Sequence, residues 1–285
     1  MEIDYPGANQ TSDSAVLAST DPCLIIGLVQ MRCEKVAVTS NLEGISRHLK
    51  EAVAHGVQIL AYPDMSITGY ADPNRYPEAV IQLDGPEVGR LLEITAGHQV
   101  TVLVGLIEAN AGGKPFITQI VVCDGVLAGA YRKVTIKDEE AEWFAPGSAV
   151  PVFQSGDLTY GLAICADIGN STLYADLAQQ GVQIVFELAA PGLYGDQAAR
   201  NWQSGFVWWR EECETYLSVY AREHDMWIAV ATQAGRTVDE DFPGGGFVYA
   251  PGGCCVFATP DWRPGAAYLE LDMQSHRLRH FVGAS

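Results

Sequence analysis

Residues 24–61 read LIIGLVQMRCEKVAVTSNLEGISRHLKEAVAHGVQILA, which is an apolar run, an amphipathic stretch and a second apolar run. The first run predicts a buried β-strand, and the last, residues 57–61, predicts another. Between them, apolar residues recur every three or four positions over 41–55, which predicts a helix. Ser40 and Glu43 have the spacing of a capping box at its start. A strand–helix–strand unit of this kind is typical of α/β proteins.

The rest of the chain continues with short apolar runs separated by helical stretches. Further helices are predicted over 86–96, 173–180 and 205–224. Further strands are predicted over 100–108, 117–124, 126–132, 152–154, 158–165, 183–188, 227–232, 246–250, 255–258 and 266–271. This order predicts an α/β fold, with sheets inside and helices outside, in a single domain over residues 23–285. Residues 1–22 are rich in small and polar residues and predict a flexible N-terminal tail.

Composition excludes several classes of protein. Of 285 residues, 48% are apolar and 18% are charged, which excludes a disordered chain or a coiled coil. The 17 basic and 35 acidic residues give a formal net charge of −18, so phosphate backbones and anionic lipid surfaces would repel the protein. No apolar run approaches the ~20 residues of a membrane helix. We therefore expect neither a nucleic-acid nor a membrane partner.

The cysteines indicate a reducing compartment. There are seven, an odd number, and no Cys-x-x-Cys pair occurs. This pattern disfavours a disulfide framework and a zinc site, and the N-terminus lacks the pattern of a secretory signal. We expect a cytoplasmic protein.

One cysteine has a position suited to chemistry. The segment Tyr160-Gly-Leu-Ala-Ile-Cys-Ala-Asp167 places Cys165 at the carboxyl end of a predicted strand, where open α/β sheets bind ligands. The thiol could be a nucleophile or a buried structural cysteine, which is the commoner role. A nucleophilic thiol needs a base or a cation beside it. The six histidines fall on predicted helices, helix ends or the C-terminal tail, so they poorly support a Cys–His pair.

Carboxylates and one lysine provide alternatives to histidine. Asp64 and Lys133 each follow a predicted strand, and Glu140 comes seven residues after Lys133. Each also has an ordinary structural explanation: a turn residue, a surface ion pair and part of a solvated acidic run. Their joint occurrence with Cys165 favours a catalytic set.

The ordered set resembles the carbon–nitrogen hydrolase (nitrilase) superfamily, in its amidase and carbamoylase branch. The blocks that carry the resemblance are Tyr62-Pro63-Asp64 with Thr68-Gly69-Tyr70, Tyr131-Arg132-Lys133, Glu140 with Phe144-Ala145-Pro146-Gly147, and Ile164-Cys165-Ala166-Asp167. The similar pattern covers about residues 24–273. It implies a four-layer αββα sandwich, made of two mixed β-sheets flanked by helices.

The resemblance also implies a reaction and roles. The reaction is cysteine-dependent hydrolysis of a carbon–nitrogen bond in a small amide or carbamoyl compound, through a thioester, with release of ammonia or an amine. Asp64 would be the base and Cys165 the nucleophile. Lys133 and the Ala166 amide would stabilise the oxyanion, while Glu140 would orient Lys133 or help proton transfer. Neither a metal nor an organic cofactor is implied, and a homodimer or higher homo-oligomer is expected.

Two features depart from the family pattern. The family's base is normally glutamate, and Asp64 is about 1.5 Å shorter, although a base must come within about 3 Å of its proton. The stretch Ile168-Gly169-Asn170 replaces a bulkier one that often contains arginine, which leaves the substrate open. The alternatives are a nitrilase acting on a nitrile, an acyltransferase, a weak or inactive enzyme serving as a binding module, and a redox-sensing thiol.

Further residues are expected around the substrate. Pro191 and Tyr194 follow the strand over 183–188 and, with Ala166, should line the site. Glu187 would bind a polar or cationic substrate group, or would lie on the surface at the end of a strand. The tryptophans of the long helix are expected in the core or at a subunit interface; they are Trp202, Trp208 and Trp209.

Overall fold

Two mixed β-sheets lie face to face at the centre of the protein, in a computed structural model that describes residues 23–193 and 196–282. The strands of the first sheet are β1 (Cys23–Gln30), β2 (Ile59–Ala61), β3 (Val80–Ile81), β4 (Thr101–Glu108), β5 (Phe116–Cys123), β6 (Val126–Arg132), β15 (Gly265–Asp272) and β16 (Arg277–Val282). Those of the second are β7 (Phe153–Ser155), β8 (Leu158–Ile164), β9 (Ile184–Ala189), β10 (Trp227–Thr232), β13 (Gly246–Tyr249) and β14 (Cys255–Ala258). A separate pair is formed by β11 (Ala234–Arg236) and β12 (Asp241–Pro243). The α-helices are α1 (Val38–Ala54), α2 (Pro86–Thr95), α3 (Glu140–Trp143), α4 (Ser171–Gln179) and α5 (Trp202–Glu223).

The strand–helix–strand unit at the start of the chain forms the middle of the first sheet. β1 and β2 are parallel, with Ile26 opposite Ile59, and β2 pairs in parallel with β4. Antiparallel strands extend the sheet on both sides, in the order β16-β15-β1-β2-β4-β5-β6, and β3 pairs with β4. Asp124 and Gly125, between β5 and β6, both have positive φ (48° and 73°), as a type I′ hairpin turn requires.

The second sheet carries the strand that precedes Cys165. Its order is β14-β13-β10-β9-β8-β7, and β8, β9 and β10 are parallel. β8 and β9 therefore end at the same edge, with Ile164 opposite Leu188. Cys165 follows β8 directly, at that edge.

Helices cover the outer face of each sheet. α1 and α2 share an apolar cluster with residues of the first sheet, and α5 contacts β10 and β13 of the second. The inner faces of the two sheets pack together, and β1 contacts β10 and β13 across the interface. The layers therefore follow the αββα order predicted from the sequence.

Two predictions about the extent of the fold concern the chain ends. The predicted tail, residues 1–22, lies outside the described residues. That residues 23–285 form one domain stays a prediction. Over 23–193 and 196–282, none of the helices combines the length and the apolar character that a membrane span requires.

Candidate active site

The ends of three strands bring the predicted catalytic residues together. Asp64 follows β2 and Lys133 follows β6, both in the first sheet, whereas Cys165 follows β8 in the second. Glu140 is the first residue of α3. Lys133, Glu140 and Cys165 line one cavity of about 330 Å³. Asp64 is not among the lining residues; it is fully buried, and its charge acts on Lys133 and Cys165.

Lys133 and Glu140 form a buried ion pair. The Lys133 Nζ donates to both carboxylate oxygens of Glu140, at 2.8 and 2.6 Å, and Tyr70 Oη donates to Oε1 at 3.2 Å. Burial alone would favour a neutral amine. The neighbouring Cys165, Glu140 and Asp64 outweigh burial and hold the pKa of Lys133 above its usual range. Lys133 is therefore a fixed cation in the lining of the cavity.

Cys165 lies at a sharp turn after β8. Its φ is +48°, a left-handed conformation that a non-glycine residue adopts at an energetic cost. Burial raises the pKa of the thiol to about 12, and Lys133 only partly opposes this effect. The resting residue is thus a neutral thiol, which needs a base before it can attack carbon.

Asp64 lies on a segment that is pressed onto β4. The Ile67 amide donates to the Gly105 carbonyl at 2.8 Å, and the Gly105 amide donates to Ser66 Oγ at 3.0 Å. Met65, directly after Asp64, has a φ of +48°. A Cβ at position 105 would lie far inside van der Waals distance of the Met65 nitrogen. The close approach of this segment to β4 therefore requires a glycine at 105.

The environment of Asp64 suits a base. Burial raises the pKa of its carboxyl from 3.8 to about 7; Lys133 lowers it and the charge of Glu140 raises it further. Among the described residues, no side chain donates a hydrogen bond to its carboxylate oxygens. A carboxyl with a pKa near neutrality can accept a proton and return it at the same pH.

Comparison with known proteins identifies the family. A model of the carbon–nitrogen hydrolase family matches residues 25–280. The chain belongs to this family. It is accordingly a hydrolase that acts on carbon–nitrogen bonds other than peptide bonds.

Individual members of the family are distant in sequence. A probable nitrilase of Schizosaccharomyces pombe is 22% identical, over 87% of this chain and 88% of its own. An omega-amidase of Xenopus tropicalis is 26% identical, over 73% of this chain and 74% of its own. A mutant of the amidase from Nesterenkonia sp. AN1, with the acetamide moiety of fluoroacetamide covalently added at its active-site cysteine, is 22% identical. Its structure has a TM-score of 0.75 and covers 89% of this chain and 92% of its own, a likeness that shows the fold.

The hydrolase brings only some of the predicted substrate-binding residues to the cavity. Ala166 and Pro191 line it. Tyr194 lies outside the described residues. Glu187 is neither at the surface nor in the cavity: it is fully buried within β9, and Tyr174 Oη donates to it at 2.7 Å. β9 lies between two other strands, so burial raises the pKa of Glu187 well above its usual value, and the expected contact with substrate is replaced by one with α4.

Sequence reasoning missed several residues that line the cavity, among them Tyr70 and Trp208. Tyr70, which contacts Glu140, belongs to the Thr68-Gly69-Tyr70 block, so its position was available as a signal. Trp208 also lines the cavity, although the aromatic pattern of α5 predicts core or interface positions for its tryptophans. In the part of the chain that is described, no group of three or more histidine, cysteine or acidic residues is arranged to hold a metal ion.

Proposed function

We propose that this hydrolase cleaves the carbon–nitrogen bond of a small amide through a covalent thioester on Cys165. The observation that carries the proposal is the shared cavity of Lys133, Glu140 and Cys165, together with the fully buried carboxyl of Asp64. A nucleophile, a fixed cation and a base of suitable pKa are the groups that acyl transfer needs.

The first half of the proposed reaction forms the thioester. As the Cys165 sulfur attacks the amide carbon, Asp64 takes the thiol proton, and the carbonyl oxygen becomes an oxyanion. Lys133 Nζ and the Ala166 amide stabilise that oxyanion. When the oxyanion collapses, the carbon–nitrogen bond breaks and the leaving nitrogen takes the proton from Asp64. Ammonia or an amine departs, and Asp64 is again a carboxylate.

The second half regenerates the enzyme. Asp64 takes a proton from water, whose oxygen attacks the thioester carbon. The carbon–sulfur bond then breaks, the sulfur recovers a proton from Asp64, and the carboxylic acid leaves. Glu140 holds the Lys133 ammonium in place through both halves, with two hydrogen bonds of 2.8 and 2.6 Å.

The size of the cavity favours a small substrate. About 330 Å³ is at the low end of the range for ligand pockets, roughly 300–1,000 Å³. Relatives of the chain include both a probable nitrilase and an omega-amidase, so a nitrile is the second candidate. With a nitrile, the same thiol would add to the carbon of the triple bond to give a thioimidate; one water would then release ammonia and leave the thioester, and a second would release the carboxylic acid.

The proposal is tested by ammonia release from small amides, each paired with the nitrile of the same carbon skeleton. The wild-type protein should release ammonia, and acid quenching during turnover should trap an acyl adduct on Cys165, detected by peptide mass spectrometry. Cys165→Ala should abolish both signals while the protein stays folded. Cys254→Ala removes an exposed thiol instead and is the matched control.

Ammonia release by pure Cys165→Ala protein would count against the proposal, because it would contradict the assignment of the nucleophile. Asp64→Glu should keep or raise activity if the shorter base merely limits the rate. A sharp loss would mean that the geometry of the site depends on the shorter side chain of aspartate. If neither the wild type nor any variant hydrolyses an amide or a nitrile, the binding-module alternative is favoured.

A further inference from the structure

The two groups that must face the same carbonyl belong to different sheets. Lys133 extends the first sheet: its amide donates to the Ile117 carbonyl at 2.9 Å, and its carbonyl accepts from the Gly147 amide at 2.8 Å. Cys165 extends the second sheet. Backbone ladders fix strands within a sheet, whereas facing sheets are held by side-chain packing and by hydrogen bonds that cross between them, such as the one from the Gly245 amide to Gln30 Oε1 at 2.7 Å. The crossing contacts nearest to Lys133 and Cys165 therefore bear most directly on the distance from Lys133 Nζ to Cys165 Sγ.

Three hydrogen bonds cross from one segment to the other. Tyr131 Oη donates to Asp167 Oδ2 at 2.6 Å, and the Thr135 amide donates to Asp167 Oδ1 at 2.9 Å. Asn170 Nδ2 donates to Thr135 Oγ1 at 3.0 Å. Tyr131 and Thr135 lie two residues before and two residues after Lys133, and Asp167 lies two residues after Cys165. Both flanks of the lysine are thus tied to the turn of the cysteine; we call these four residues the inter-sheet clamp.

Asp167 also fixes the turn on its own side. Its Oδ2 accepts from the Ile164 amide at 3.0 Å, so three donors surround a fully buried carboxylate. Asn170 has a second contact as well, because its Oδ1 accepts from the Leu173 amide and caps α4. Charge-assisted hydrogen bonds of this kind are among the stronger ones in proteins, and the buried setting makes each expensive to lose.

Tyr131 is suited to remain a donor. It is fully buried, and burial together with the charge of Asp167 holds the pKa of its phenol above the usual range. The phenol therefore keeps its proton at neutral pH and can donate it to Asp167.

We infer that the inter-sheet clamp positions Lys133 relative to Cys165, so that Tyr131, Thr135, Asp167 and Asn170 are positioning residues of the reaction. The inference rests on the proposed function. None of the four residues lines the cavity, so they would act through Lys133 and Cys165 rather than on the substrate. A misplacement of about 1 Å between reacting groups can cost on the order of a hundredfold in rate.

Two single substitutions loosen the clamp with little change in volume. Tyr131→Phe removes only the phenol oxygen. Thr135→Val removes the hydroxyl but keeps the backbone amide that donates to Asp167. Thr135→Ser restores the hydroxyl and is the rescue variant. Tyr268→Phe is the matched control, because it removes a phenol from β15 that donates to Glu51 at 3.1 Å on the outer side of the first sheet.

The expected result is a loss of kcat without a matching change of KM. Tyr131→Phe and Thr135→Val should each lower kcat at least about tenfold, with KM within about threefold, because the positioning of the reacting groups is impaired and the cavity lining is unchanged. Thr135→Ser should stay close to wild type. Tyr268→Phe also loses a phenol hydrogen bond, and it should leave kcat unchanged whatever its effect on the melting temperature.

A second readout needs no turnover. Lys133 lowers the pKa of the Cys165 thiol, so displacing Lys133 should reduce the thiolate fraction. The rate of alkylation of Cys165 by iodoacetamide, followed by peptide mass spectrometry from pH 6 to 10, should therefore fall at each pH in Tyr131→Phe and Thr135→Val. It should not fall in Tyr268→Phe or Thr135→Ser.

The two readouts separate failure of the clamp from failure of the function. If the wild type hydrolyses no amide or nitrile but alkylation falls as described, the clamp stands and the proposed function does not. If the wild type hydrolyses amides while both variants keep kcat and the alkylation rate, the clamp is overturned. The clamp is also overturned if the variants lose thermal stability but keep kcat and the alkylation rate of Cys165, because a purely structural role predicts that result.

Discussion

The pKa values of Asp64 and Cys165 set the chemistry of the site at the scale of single residues. Burial raises both, the carboxyl to about 7 and the thiol to about 12. A free thiolate is therefore a minor species at neutral pH, and in the proposed reaction the thiol proton moves to Asp64 during attack rather than before it. A carboxyl of ordinary pKa would be a weaker base for this transfer.

The pH dependence of the rate should report the ionisation of Asp64. Since only the carboxylate can accept a proton, kcat/KM should rise with pH and show an inflection near pH 7. Initial rates between pH 5 and 9 on the best amide would measure it. A profile that is flat from pH 5 to 8 would exclude Asp64 as the base.

The same carboxyl should make the protein less stable as pH rises. The native state holds the proton of Asp64 more tightly than the unfolded state, so stability from this group is present below about pH 4 and is lost as pH rises towards 7. Raising a pKa from 3.8 to about 7 corresponds to about 4 kcal/mol. Asp64→Asn cannot ionise and should exceed wild type in free energy of unfolding by up to that amount at pH 8. Urea unfolding at pH 8 and at the lowest pH that keeps both proteins folded would measure the gap, which should shrink as the pH falls.

At the scale of elements, the order of strands and helices follows from apolar periodicity, while exact helix starts do not. The Ser40–Glu43 capping box is wrong: α1 begins at Val38, after Ala37, without a side-chain cap. Asn41, within its first turn, instead donates to the carbonyls of Glu34 and Ile67 and so ties α1 to the segment after Asp64. These contacts join positions distant in sequence, which periodicity cannot report.

In the candidate site, too, local sequence patterns were informative, whereas contacts between distant residues could not be predicted. The ends of predicted strands, together with the resemblance to the family, singled out Asp64, Lys133 and Cys165, whereas their convergence from two different sheets was not predicted. The burial of Glu187 was not predictable from the sequence. A carboxyl inside a buried strand needs a hydrogen-bond donor, and here the donor is Tyr174 from another element, α4. Four strands were also missed: β3, β11 and β12 are only two or three residues long, and β16 has no strong apolar pattern.

Gly105→Ala tests whether β4 positions the base. A new Cβ would overlap the Met65 nitrogen and lie 3.0 Å from the Asp64 carbonyl carbon, so the backbone must shift. We expect kcat to fall by about ten- to a hundredfold. Gly27→Ala in β1 is the control, because its Cβ would meet side chains and not backbone: the end of Leu60 at 2.5 Å and the ring of Tyr268 at 3.3 Å. Equal kcat in the two variants would show that Gly105 has no role in positioning Asp64.

At the scale of the whole molecule, the distribution of charge is the dominant feature. A net charge of −18 opposes compaction through repulsion between carboxylates spread over the chain. The predicted homo-oligomer would add to this repulsion if acidic faces met. It stays a prediction, as does the cytoplasmic location.

Salt should stabilise the protein. Ionic strength of about 0.01 M leaves a screening length of about 30 Å, whereas 0.15 M shortens it to about 8 Å. The melting temperature should therefore rise between 10 and 150 mM NaCl, because repulsion between distant carboxylates is screened. Sodium thiocyanate at the same ionic strength is the control for specific ion effects and should raise it as well. A melting temperature that falls in both salts would show that surface ion pairs outweigh the repulsion.

The raised thiol pKa of Cys165 bears on how the protein withstands oxidants. Peroxides convert thiolates, not thiols, to sulfenic acid, and exposed cysteines of low pKa are oxidised first. If Cys165 keeps its proton until an electrophilic carbon arrives, as the proposed reaction requires, we expect it to react slowly with hydrogen peroxide between turnovers. The same burial that makes a base necessary for catalysis would then also limit oxidative loss of the nucleophile.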